Sequence, residues 1–439
     1  MPTISTGPRA ERADWSQLHL RVTLPTLTDD PAQEAGTTMP APDYERRLIE
    51  NIQPIRQFFL ANVLHHALQL GVFRALADDP HTETAELAKR LDLDARRLGA
   101  LLAYLQNENY VLDDGGWILT PRGQALPTFA PWYQMLVGGY GTTFQQLGHV
   151  LRPNAAYATR DTTQVGAGSC GIGVTDTLPL ALHLLDAADT HPTTLVDLGC
   201  GDAGFLIEIL NRRPGLKGIG VEPNPGSVER ALELRRREGL TDRLQIVQAT
   251  AADVAMLDLP DHGRGAAFMP AFVLQEMLEQ DGERAVEDLL RATFDTYPDA
   301  RWIVVEMDYQ PNSPLLGAHG LGQAFYNPYF LIHNITEQRL ETSAWWAELF
   351  RRANLTAATA TTDPRVDSTG MEIGFLLARP LRRGRDEDLH AIRRWSSPSA
   401  TSAQDSDQPL VRSGGSGPPG PARRPGHDNR PIGNEVCGQ

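Results

Sequence analysis

The residues best suited to chemistry begin with the run Asp197-Leu198-Gly199-Cys200-Gly201. Two closely spaced glycines between an apolar run and an amphipathic one let backbone approach a ligand, with helix N–H groups aimed at it. Gly199, Gly201 and Gly204 also satisfy the G-x-G-x-x-G pattern of dinucleotide binders. Asp197 tilts the choice between ligands. A carboxylate there would repel a pyrophosphate but suits a cation. S-adenosylmethionine carries an ammonium and a sulfonium and no phosphate, so it is the expected cofactor. Glu222, one strand later, is placed to accept both ribose hydroxyls, a role shared with nicotinamide enzymes. After the third strand comes QATAAD, where Thr250, or a backbone group such as that of Ala251, is expected to meet the adenine in place of the acid common there.

Other groups lie further along. His333 sits in YFLIHNITEQR; histidine is the side chain best suited to act as a base or oxyanion partner near neutral pH, and a packed histidine is the competing reading. Gln275 and Glu276 follow the fourth strand, at the carboxyl edge where open α/β sheets bind ligands. Glu306 and Asp308 follow the fifth. Arg160, beside Asp161, and Arg339 are the nearby cations. Tyr326, Tyr329 and Phe330 cluster beside His333, and Tyr140 lies in GGYGTTF. Each aromatic is also read as plain core.

Elements must bring these residues together. From about residue 191 to 382 apolar strands alternate with amphipathic helices: TTLVDL, KGIGVE, RLQIVQ, GAAFMP and RWIVVEM, then LTAATATT and MEIGFLLAR as a terminal pair with one strand antiparallel. That is the pattern of a doubly wound, Rossmann-like α/β sheet. Residues 42–126 read as helices followed by YVLDDGGWILT, a hairpin around Asp-Gly-Gly. Helix, helix and hairpin describe a winged-helix-like unit. Asp92 and Asp94 offset Arg96 and Arg97, which favours a dimerisation domain over a DNA reader. Residues 127–190 bridge the two as linking helices and a substrate cap, with glycine-rich stretches read as turns. Residues 1–41 read as a disordered leader, and residues 383–439 as a mostly disordered tail.

Composition excludes several function classes. A net charge of −15 disfavours nucleic-acid partners. No apolar run approaches the ~20 residues of a membrane span. Three scattered cysteines give neither a disulfide framework nor a zinc knuckle, so a cytoplasmic location is expected.

With a helical module ahead of such a sheet, the chain resembles small-molecule O-methyltransferases. A closer likeness lies in GSCGI, FVLQEMLEQDG, HGLGQAFYNPYFLIHNITEQRLET and TDPRVDSTGMEIGFLL, which resemble the 2-ketoarginine C-methyltransferases over residues 45–380. The resemblance implies methylation of C3 of a 2-oxo acid, 5-guanidino-2-oxopentanoate, in 3-methylarginine or related biosynthesis by a homodimer. C3 becomes nucleophilic only as an enolate, so the reaction needs a base and a partner for the C2 oxygen. On this reading His333 is the first choice for that base, with Glu276 and Gln275 beside it. Arg160 or Arg339 would bind the carboxylate. Glu276, Glu306 or Asp308 would meet the guanidinium, and Tyr326 and Tyr140 would wall the pocket. Related phenylpyruvate-type enzymes have His-Asp where this chain has Gln275-Glu276. Glutamine is a poor transition-metal ligand, so a divalent or ferric metal is not assumed. The alternatives are an O- or N-methyltransferase on the same scaffold, a ligand-sensing regulator and a dehydrogenase.

Overall fold

The computed structural model describes residues 41–380. The expected leader, apart from Ala41, and the expected tail lie outside the described residues. The chain divides into two units, Met1–Gln57 and Phe58–Gln439. Of the first, the described part is the opening of helix α1 (Ala41–Gln69), where Arg46 and Glu50 pair across one turn at 3.0 Å.

The second unit begins with the remainder of α1, then α2 (Val72–Asp78), α3 (Thr84–Arg90) and α4 (Ala95–Asn107). Leu64, Phe73, Leu87, Leu98, Leu102 and Leu105 recur at helical spacing and close a small core. Asp94 caps α4 by accepting the Arg97 N–H at 2.8 Å. The hairpin pairs β1 (Val111–Asp113) with β2 (Trp117–Leu119) antiparallel, as Asp-Gly-Gly predicts. Gly115 and Gly116 both carry positive φ in the turn. Trp117 Nε1 donates to Thr84 Oγ1 at 2.8 Å, tying the hairpin to α3.

A seven-stranded sheet runs β5-β4-β3-β6-β7-β9-β8. Its strands are β3 (Thr194–Leu198), β4 (Lys217–Val221), β5 (Leu244–Val247), β6 (Ala266–Pro270), β7 (Arg301–Met307), β8 (Thr356–Thr361) and β9 (Glu372–Ala378). Strands β3 to β7 are parallel, and β9 is antiparallel to both neighbours. Strands β3, β6, β7 and β9 are buried throughout because helices cover both faces. Edge strand β8 alternates half-buried and exposed residues, the period of a one-sided strand. The parallel strands deliver Asp197, Glu222, Glu276 and Glu306 to one edge. Because β9 runs the other way, its first residue, Glu372, lies opposite Met307 at that same edge.

One local reading is corrected in both glycine-rich stretches: the first forms the short helical segments Ala130–Tyr133, Gln134–Gly139 and Gly141–Gln145. Residues 162–173, read as glycine-rich turns, form a helix, Thr162–Gly173, capped by Asp161. Gly168 and Gly171 serve close packing rather than turning. A Cβ on Gly168 would meet Met135 N at 2.5 Å, and one on Gly171 would meet Pro131 at 2.7 Å. Among the described residues no helix is long and apolar enough to cross a membrane.

Candidate active site

The cofactor turn is built by backbone. Gly199 and Cys200 N–H groups both donate to Val221 O, at 2.8 and 3.1 Å, bending the chain off β3 onto the end of β4. Gly199 has φ +75°, and a Cβ there would stand 2.8 Å from Val273 Cγ2. Gly201, at φ +59°, faces open space and donates its N–H to Glu222 Oε2 at 3.0 Å. Glu222 Oε1 accepts the Asn224 N–H at 2.9 Å, so the carboxylate is fixed while each oxygen keeps accepting capacity. Asp197 is 4% exposed, and no donor reaches its carboxylate among the described residues. Burial, and then the nearby Glu222 charge, push its pKa up to about 7. An unmatched buried carboxylate is stabilised by a cation. The donor-free Asp197 and the open face of Gly201 therefore fit the cationic methionine moiety of S-adenosylmethionine.

On the adenine side, Thr250 has another task. Its N–H and hydroxyl both donate to Asp253 Oδ2, at 3.0 and 2.7 Å, closing a capping box ahead of the short helix Ala251–Met256. An acid thus stands beside Thr250 after all, supplied from three residues on. The T-x-x-D spacing was its signal in the sequence.

Arg160 and Glu276, from the bridge and the sheet edge, meet at 2.6 Å. Asp161, the alternative partner of Arg160, is committed to its helix cap. Gln338 Nε2 donates to Glu276 Oε1 at 2.9 Å, and Tyr140 donates its hydroxyl to Gln338 Oε1 at 3.4 Å. Sequence reasoning missed Gln338, although it lies in the HNITEQRLET stretch that carries the family resemblance, because an amide between charged residues gives no chemical signal of its own. Arg160 Nη1 and Gln275 Oε1 are buried with no hydrogen-bond partner, so a donor and an acceptor are both left over at this site. Such groups are costly to leave unmatched.

His333 is buried in the helix Asn327–Ile335. Its ring stacks on Tyr329, with centroids 3.8 Å apart, and lies 6.2 Å from the Tyr140 ring. Nδ1 stands 2.8 Å from Tyr329 O. A carbonyl only accepts, so Nδ1 carries the proton and Nε2 holds the lone pair. Burial, with the Arg160 charge adding to it, lowers the pKa to about 3, so the ring is neutral. That tautomer suits a proton acceptor and not an oxyanion donor.

Three expected residues face elsewhere. Arg339 turns its guanidinium to Glu341 and Glu283, at 2.6 and 3.4 Å, and over the Trp345 ring. Only its backbone N–H reaches the site, donating to Gln275 O at 2.9 Å. Asp308 accepts the Ser343 N–H at 2.7 Å and hydroxyl at 3.2 Å, as well as the Gln310 amide, anchoring the start of the helix Ser343–Arg352. Glu306 accepts the Gln275 N–H at 3.3 Å, which holds the start of the helix Leu274–Gln280; its other oxygen is buried without a partner. Tyr326 is buried as expected, but its hydroxyl donates to Asp367. No group of three acidic, His or Cys side chains among the described residues is arranged to hold a metal.

No family model matches the chain. It is 43% identical over 341 residues to the 2-ketoarginine methyltransferase of Streptomyces arginensis, covering 76% of this chain and 97% of that one. Among solved structures it is similar to a mitomycin 7-O-methyltransferase, at 20% identity and TM-score 0.54, over 77% of this chain and 100% of that one. It is also similar to human N-acetylserotonin methyltransferase, solved with S-adenosylmethionine, at 17% identity and TM-score 0.53, over 79% and 100% of the two chains. These two likenesses establish the fold: a doubly wound sheet with a helical N-terminal region. The glycine turn and donor-free Asp197, taken with the identity along most of both chains, show that the chain belongs to the 2-ketoarginine methyltransferase family of S-adenosylmethionine-dependent enzymes.

Proposed function

We propose that this enzyme methylates C3 of 5-guanidino-2-oxopentanoate, giving the 3-methyl-2-oxo acid that transamination would convert to 3-methylarginine. One observation carries the reading beyond the family likeness: a buried arginine with an unmatched N–H group, Arg160 Nη1, belongs to the same cluster as a neutral histidine whose Nε2 holds an unprotonated lone pair.

Arg160 receives the carboxylate and the C2 oxygen, and Tyr140, whose hydroxyl is engaged with Gln338, walls the pocket beside it. His333 Nε2 takes the proton from C3, the C–H electron pair flows toward the C2 oxygen, and the resulting enolate is stabilised by the Arg160 charge. Substrate seating also prepares the base. The Arg160 charge helps to depress His333, so a carboxylate lying on Arg160 raises the proton affinity of Nε2. Glu276 and Gln338 hold the guanidinium of Arg160 in place from behind. Tyr140, Tyr329 and Phe330 exclude water from the developing enolate. Asp197, Gly199, Gly201, Glu222, Thr250 and Ala251 hold S-adenosylmethionine, which when bound supplies an electrophilic methyl group.

The domain reading is part of the proposal: a winged-helix-like dimerisation domain over 42–126, linking helices and a substrate cap over 127–190, and the methyltransferase domain over 191–382. Leu48, Ile49, Ile52 and Ile55, exposed on the opening part of α1, support a homodimer acting in the cytoplasm.

The test is an assay with methyl-labelled S-adenosylmethionine and a panel of 2-oxo acids, with and without chelator. The expected product carries label on C3, with the guanidino acid turned over best. Label on oxygen or nitrogen would instead establish the O- or N-methylating alternative.

A further inference from the structure

Three buried carboxylates, Asp176, Asp367 and Glu372, exposed by only 9%, 3% and 1%, lie close enough for their charges to act on one another and on the Tyr326 phenol. Asp176 caps the helix Thr177–Ala187, accepting the Thr177 N–H and hydroxyl on Oδ1 at 2.7 and 3.2 Å. Asp367 Oδ1 accepts the Thr369 N–H and hydroxyl at 2.8 and 2.7 Å, while Oδ2 takes the Tyr326 hydroxyl. Glu372 opens β9 across from Met307. No Lys, Arg or His among the described residues forms an ion pair with any of the three.

Hydrogen bonds satisfy this group only in part. Glu372 Oε1 is fully buried without a partner, and so is the Thr362 hydroxyl, whose residue pairs with Glu372 through its N–H to Glu372 O at 3.2 Å. Buried carboxylates without a counter-charge are costly. Burial, opposed in part by hydrogen bonds from Thr177, pushes Asp176 up to about 6; Glu372 is pushed well up by burial and by the Asp176 charge, opposed in part by the nearby Thr362 and Thr177 side chains. The oxygens are not arranged as a metal cage among the described residues. A guanidinium suits them better. It is a planar cation with five N–H donors pointing outward, able to reach separate carboxylates at once.

Location supports the same ligand. Tyr329 stacks on His333 with one face, and its phenol is close enough to Glu306 and Glu372 to feel their charge. The neighbours therefore run Arg160, Tyr140, His333, Tyr329, then Tyr326 and the three acids. We infer that Asp176, Asp367 and Glu372 form the subsite that holds the guanidinium of the substrate, while Arg160 holds its carboxylate. This rests on the 2-oxo acid reading above. It takes the place of Glu276, Glu306 and Asp308 as guanidinium partners, since Glu276 holds Arg160 and the other two brace helix starts. The subsite also gives selectivity: a neutral side chain would leave the buried carboxylates unmatched.

The test uses the full-length enzyme and needs no variant for its first arm. Arginine, a non-reacting guanidino acid, should raise the melting temperature and bind in calorimetry; citrulline, its neutral counterpart, should do neither. Equal binding of the two would overturn the subsite. In the second arm Glu372→Gln and Asp176→Asn, each checked for an unchanged melt and cofactor affinity, should raise KM for 5-guanidino-2-oxopentanoate by about tenfold or more. KM for 2-oxohexanoate should hardly move. A folded Glu372→Gln with unaltered KM and arginine affinity would sink the inference while leaving the methylation reading intact. Conversely, Glu372-dependent arginine binding by an enzyme that methylates no 2-oxo acid would uphold the subsite and refute the reaction.

Discussion

Tyr329 and His333, one helical turn apart, stack with ring centroids 3.8 Å apart, and the Tyr329 carbonyl holds His333 Nδ1 at 2.8 Å. One residue thus fixes both the tilt and the tautomer of the ring. The helix that carries them lays the free nitrogen in the same buried cluster as Arg160, 173 positions away in sequence but close enough for its charge to act on the ring.

Replacing His333 with Ala should lower kcat by about a hundredfold to ten-thousandfold, the usual worth of a positioned base. Cofactor affinity by calorimetry should stay at the wild-type value. Full turnover in the variant would remove His333 from the chemistry.

Arg160→Ala should raise KM for the oxo acid by about tenfold to a hundredfold, as expected for a lost charge-assisted pair. The pairing with Glu276 predicts a coupled cycle. Glu276→Gln should cost much less in the Arg160→Ala background than alone, because its partner is already gone. Additive losses in steady-state kinetics would show that the two act separately.

Asp197 couples pH to both cofactor binding and stability. Its folded pKa, about 7, lies above the ordinary carboxylate value. The folded state therefore binds more protons than the unfolded one between roughly pH 4 and 7. The contribution to stability is fully present below the unfolded pKa and is lost as pH rises through about 7. Asp197→Asn should raise the apo melting temperature at pH 8 and leave it nearly unchanged at pH 4. The same variant should weaken S-adenosylmethionine, and wild-type affinity should fall as pH drops below 7 in calorimetry. An apo melt unaffected at pH 8 would contradict the burial argument.

Gly199→Ala tests the turn itself. Positive φ costs a non-glycine residue about 1 kcal/mol or more, and the added Cβ meets Val273 at 2.8 Å. A lower melting temperature and cofactor binding weakened by about tenfold or more are expected, read by thermal scan and calorimetry. Gly201→Ala, where the added carbon faces open space, should perturb the melt less.

His333 predicts an acid-side effect of opposite sign to Asp197. Its folded pKa, about 3, lies below the ordinary value of 6.5. The stability it contributes is present above the unfolded pKa and lost as pH falls from there through about 3. His333→Phe should therefore flatten the drop in melting temperature between pH 6.5 and pH 4, and an unchanged slope would refute the neutral buried ring.

The sheet was legible from residues alone: strands buried on both faces read as the apolar runs LVDL, GIGV, AFMP, WIVVE and EIGFLLA, and the less buried edge strands fall at QIV and TAATAT. The glycine turn was legible too, because Gly199 and Gly201 are required by local φ. The helix Thr162–Gly173 was not, since glycine signals a turn locally, and only contact with Pro131 and Met135 shows that it serves close packing instead.

Residue type and spacing by themselves determined the sheet and the cofactor edge, because these follow from short-range periodicity and side-chain chemistry; the choice of His333 and Arg160 came from the family resemblance. Tertiary structure alone decided the partners. Arg160 chose Glu276 over adjacent Asp161, Arg339 and Asp308 were drawn into structural networks, and Asp176, Asp367 and Glu372 became one group. Those outcomes depend on which ends of distant strands and helices share an edge, and on which charges burial leaves without a donor, quantities that no stretch of sequence carries.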